Sequence, residues 1–146
     1  MNTPSSRMTP AAALEEGEEV IASFQADRMT YIRDHAWMAA LAMGGGMAIL
    51  WTTGNPHVWT GAVGGLAAIV IRGWYVASDE LTARWDLTDR RLLGPQTRAV
   101  RLDQIAQVRG LGSAVQVVSK GGDKHLIKYL ADKSTVMDRI RRAAGI

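Results

Sequence analysis

The chain has 146 residues, enough for one compact domain with attachments. It contains no cysteine, which excludes disulfides, thiol catalysis and cysteine-ligated metals. The net charge of +3 is too small to argue for nucleic acid, and it is unevenly spread: residues 1–35 carry three arginines against six carboxylates, residues 79–146 carry 13 basic against 8 acidic side chains.

The chain starts polar. Met1 to Ala13 is rich in Ser, Thr, Pro and Ala and reads as flexible. No apolar run of a secretory signal is visible in this polar, then acidic start. Glu15, Glu16, Glu18 and Glu19 follow, and a solvated charged face explains them better than a metal site. Residues 1–26 are therefore set apart as a polar, acidic and partly flexible segment.

Residues 27–77 read as a transmembrane helical hairpin. From Ala36 to Ile71 there is no Asp, Glu, Lys or Arg. Ala36 to Thr53 and Val58 to Val76 each span about 27 Å as helix, close to a hydrocarbon core. Gly54-Asn55-Pro56-His57 between them is a turn, so short that the helices must be antiparallel neighbours. Trp37, Trp51, Trp59 and Trp74 fall near the expected membrane boundaries, and Arg72 near the end of the second span is placed to snorkel. Small residues recur every four positions, at Ala40, Gly44 and Ala48 and at Gly61 and Gly65, as expected for close helix packing in lipid. Arg28 and Arg33 before the pair, and Arg72 and Arg84 after it, put both termini on the cytoplasmic side.

Residues 78–146 change pattern. Leu81 to Leu87 alternates with period two, and strands are expected also at Arg91–Leu93, Ala99–Leu102, Ile105–Val108, Ala114–Ser119 and His125–Leu130. Lys120 to Lys124 reads as a hairpin turn. Asp132 to Ala144 has helical spacing, with Asp132 or Ser134 as cap and Gly145 as stop. The expected fold is an α+β membrane protein: a two-helix transmembrane hairpin followed by an antiparallel sheet or open barrel with a C-terminal helix.

The segments Leu87-Thr88-Asp89-Arg90-Arg91-Leu92-Leu93 and Val100 to Val108, with the acidic Gly17 to Val20 ahead of the hairpin, resemble the bacterial pleckstrin-homology-like domains attached to membrane hairpins. That resemblance implies a PH-like scaffold in a bacterial inner membrane, one that serves binding rather than catalysis.

The sequence carries no P-loop, dinucleotide fingerprint, GxSxG or HExxH; His35 and His57 are expected about a membrane thickness apart, too far to share a metal, and His35, His57 and His125 each read as surface or interfacial residues. No enzyme, cofactor, small-molecule substrate or nucleic acid is expected. Arg90, Arg91, Arg98, Arg101, Lys120, Lys124 and Lys128 are the candidate contacts for anionic lipid or an acidic partner, with ordinary solubilising charge as the competing explanation. The leading expectation is a non-enzymatic, membrane-anchored interaction module, accessory to a membrane protein complex or self-associating; the alternative is an anionic-lipid sensor.

Overall fold

A computed structural model describes residues 8–146. Its elements, in order, are β1 (Val20–Gln25), α1 (Arg28–Thr52), α2 (Trp59–Thr82), β2 (Arg84–Thr88), β3 (Arg91–Leu93), β4 (Ala99–Arg101), a 3-10 turn (Leu102–Gln104), β5 (Ile105–Leu111), β6 (Ala114–Ser119), β7 (Lys124–Ile127) and α3 (Lys133–Ala144). They form two compact units. Tyr31–Ala77 is one, and the chain before Tyr31 joins Ser78–Ile146 in the other.

The strand unit holds two antiparallel sheets, ordered β1-β2-β3-β4 and β5-β6-β7. Alternation dictates the core. Phe24, Trp85, Leu87, Leu92 and Val100 point inward from the first sheet, Ile105, Val108, Val115, Val117 and Ile127 from the second. Val136 and Ile140, one helical turn apart, close the cluster from α3. Burying each of these large side chains stabilises the unit by about 1.5–3 kcal/mol. Asp132 caps α3 by accepting from the Thr135 hydroxyl at 2.7 Å and the Thr135 amide at 3.2 Å, and these bonds, the hydroxyl's first, hold its carboxyl below the usual carboxylate range. Gly145, at φ 73, ends the helix: its amide reaches the Arg142 carbonyl and that of Ile146 reaches Arg141.

Several expectations are corrected. The segment set apart as residues 1–26 supplies β1, which pairs with β2 from Val20↔Thr88 to Gln25↔Arg84 and so belongs to the same unit as residues 78–146. Within the stretch read as flexible, residues 1–7 lie outside the described residues, but Pro10 bridges Gln96 and the Ala11 amide donates to the Gln96 carbonyl at 2.8 Å. The strand expected from Leu81 begins only at Arg84, because α2 runs on to Thr82. The last strand stops at Ile127, ahead of Tyr129, whose φ of 57 ends extended pairing.

Asp27 caps α1 by accepting from the Thr30 amide and hydroxyl at 2.9 and 2.8 Å. The helix ends where Gly54 adopts φ 75, with the Gly54 amide on Trp51 and the Asn55 amide on Leu50. Asn55 then accepts from the His57 amide, which completes the turn read from the sequence. Among the described residues one helix, Trp59–Thr82, is long and apolar enough by length and composition to cross a membrane. The first of the two expected spans falls short, because α1 ends at Thr52 and its apolar half is diluted by the Gly44-Gly45-Gly46 triplet, Trp37 and Trp51.

Candidate functional site

Three places bring functional side chains together. The first is built on the β2–β3 turn. The Thr88 hydroxyl accepts from the Arg90 and Arg91 amides at 3.1 and 2.8 Å, which shapes the turn, and donates to Glu18 at 2.7 Å. Arg91 grips the same carboxylate with two bonds, Nε to Oε2 at 2.9 Å and Nη2 to Oε1 at 2.6 Å. The Glu18 side chain is wholly buried. Arg91 beside it, more than offsetting the effect of burial, lowers its pKa from 4.5 to about 2, and the pairing raises that of Arg91. Glu15 sits between Arg90, Arg101 and Arg91 at 3.3, 3.7 and 4.0 Å. Asp89 binds the Glu19 backbone in both directions.

The seven basic residues singled out from the sequence thus divide. Arg90, Arg91 and Arg101 are matched by acids of the N-terminal arm, and Arg91 is structural rather than available to a ligand. Arg98 and Lys128 border one cavity of about 190 Å³ floored by Phe24, Trp85 and Ile127, where Lys128 pairs with Glu80 at 3.6 Å. Lys120 and Lys124 flank the β6–β7 turn and are exposed.

The second place is the seam between α1 and α2. A side chain at Gly46 would collide with the Gly61 backbone, and one at Gly65 with the Ala42 carbonyl. Gly61 and Gly65 therefore pack as expected. Ala40, Gly44 and Ala48 do not: all three are exposed, and nothing lies within 4 Å of a side chain built at Gly44. The seam follows Tyr31, His35, Ala39, Ala42 and Gly46 instead, because this row carries the polar groups that need partners. Tyr31 donates its hydroxyl to the Gly73 carbonyl at 2.6 Å. His35, read from the sequence as a surface or interfacial residue, is buried. Its Nδ1 lies 2.9 Å from the Tyr31 carbonyl, which only accepts, and its Nε2 lies 3.3 Å from Arg72 Nη1, which only donates. The proton therefore sits on Nδ1. The spacing of Tyr31 and His35, one turn apart on α1, was the available signal for this contact.

The third is the outer surface of the helical unit. Trp37, Trp51, Trp59 and Trp74 are all exposed, Trp74 to 84%, beside Leu41, Ile49, Val63, Val70, Ile71 and Tyr75. No residue of α2 is buried. A fifth tryptophan, Trp85, is the core residue. Among the described residues no cluster of three or more His, Asp or Glu is arranged to hold a metal ion.

No family model, no curated protein and no solved structure matches this chain.

Proposed function

We propose that this protein is a membrane-anchored interaction module without catalytic activity, in which α1 and α2 cross the bilayer as a hairpin and the strand unit docks another membrane protein. The observation that carries the reading is the pairing of β1 with β2. These strands lie on either side of the helical pair in the chain, yet they register over five residue pairs in one sheet. If α2 crosses a membrane, the chain must cross back between Gln25 and Arg84 for that sheet to form. An even number of crossings requires α1 to be the second span, despite its lower apolarity. The apolar outer surface of the helical unit, rich in Trp, supports the same reading, because water would leave it unpaid by any burial. The arginines at the helix ends favour the cytoplasmic face of a bacterial inner membrane.

Seven strands in sheets of four and three, closed by a C-terminal helix, support a PH-like scaffold for the strand unit. Docking is favoured over lipid sensing because Arg90, Arg91 and Arg101 already face Glu15 and Glu18. Gentle-detergent co-purification of the tagged full-length protein from its native membranes tests the reading. A stoichiometric membrane-protein partner is expected, and recovery of the chain with anionic lipid alone would transfer the function to lipid recognition.

A further inference from the structure

The two sheets leave four edge strands, β1, β4, β5 and β7. Unpaired edges invite another chain, and proteins blunt them with charge, shortness or cover. Three edges here are blunted. β4 has three residues, follows Arg98 and ends in Arg101. β7 begins with Lys124 and is followed by Lys128. β5 is covered by α3, since Arg141 donates to the Val108 carbonyl at 2.5 Å.

β1 is different. Its sequence, VIASFQ, has no charge and no proline, and Val20 and Ile21 remain 44% and 49% exposed. Beside it runs a groove of about 510 Å³, bounded across by Leu130, Asp132, Thr135, Val136 and Arg139, with the Asp132 carboxylate engaged by Thr135. Four consecutive β1 residues, Ala22 to Gln25, border this groove. Side chains alternate along a strand, so consecutive residues can share one groove only through the backbone edge. Arg139 reaches the Ile21 carbonyl at a long 3.5 Å and has no carboxylate partner among the described residues.

We propose that the β1 edge and the α3 groove form a docking site for an extended polypeptide segment of the partner, which adds to the sheet as a strand and sets an acidic side chain against Arg139. Backbone pairing supplies the anchoring, apolar side chains on one face of the added strand meet Ala22 and Ala131, and the unmatched guanidinium selects the acid. The choice of a protein partner rests on the docking reading above.

A displayed library of random nonapeptides, selected on the full-length protein in detergent micelles, tests the proposal without requiring that the hairpin span a membrane. The recovered sequences are expected to alternate apolar and polar residues with Asp or Glu at one fixed position. A synthetic peptide of that sequence should lose at least about tenfold in affinity on methylation of alternate backbone amides. It should lose a similar factor with Arg139→Glu, recovered when the peptide's acid is replaced by Lys. Selection of no binder, or of binders indifferent to amide methylation or to Arg139→Glu, would overturn the proposal. So would a dimer in light scattering that Ile21→Lys abolishes, because a second copy would then own this edge. Failure here with a partner still recovered from membranes would leave the docking function standing and move its site.

Discussion

The Arg91 guanidinium and the Glu18 carboxylate form a two-pronged ion pair, 2.6 Å at its shorter contact, between residues separated in the chain by the whole helical hairpin. The pair ties the acidic arm to the β2–β3 turn and so helps to hold β1 in the sheet. Removing one partner leaves a buried charge without its counterion. Arg91→Ala is therefore expected to destabilise the strand unit by about 3 kcal/mol, read from chemical denaturation of the full-length protein in detergent. Arg98→Ala, at an exposed position, should change stability little.

The same pair sets an acid response. Glu18 titrates at about 2 when folded, against 4.5 for an ordinary glutamate. A depressed folded pKa means that the unfolded chain takes up the proton first, so the contribution is complete above about pH 4.5 and fades as pH falls toward 2. Melting temperature followed over that window should drop for the wild type. Glu18→Gln should start lower at neutral pH and show a shallower fall.

Gly94 lies under Trp85, where a Cβ would come within 2.5 Å of the indole ring. The indole cannot retreat, since Trp85 is already a core residue at 3% exposure. Gly94→Ala is expected to cost about 1–3 kcal/mol through overpacking, visible as a lower thermal midpoint.

Glycines of the helical unit should separate into two groups. Gly46→Leu or Gly61→Leu forces the helices apart and should lower the melting temperature of the purified protein. Gly44→Ala meets open space and removes a weak helix former, so it should be neutral or raise stability by up to about 1 kcal/mol. Equal losses at Gly44 and Gly46 would contradict the seam described here.

Much of this architecture was legible in residues. The turn at Gly54–His57, the cap at Asp132, the stop at Gly145 and most strands of the second half follow from local chemistry that acts over a few positions. Two things were not. β1 was hidden because Val20 to Gln25 finds its partner, β2, across more than fifty residues of helix, and the acids before it suggested solvent. The seam was hidden because three adjacent glycines offer small residues on every face of α1. The choice among them is made by Tyr31 and His35, whose polar atoms find Gly73 and Arg72 only when that face turns inward. For the basic residues, sequence reading found the cations but not their partners, since Glu15 and Glu18 lie far off in the chain.

The central claim is that the helical pair crosses a membrane twice and returns the chain to one side. Because the protein has no cysteine, single-cysteine variants give a clean readout. Asn55→Cys in the turn between the helices, Glu16→Cys in the N-terminal arm and Gly121→Cys in the β6–β7 turn would be treated with a membrane-impermeant maleimide before and after lysis of intact spheroplasts. The account predicts labelling of Asn55→Cys in intact spheroplasts and of the other two only after lysis. Labelling of Glu16→Cys and Gly121→Cys on opposite sides, or of Asn55→Cys on the same side as both, would contradict it.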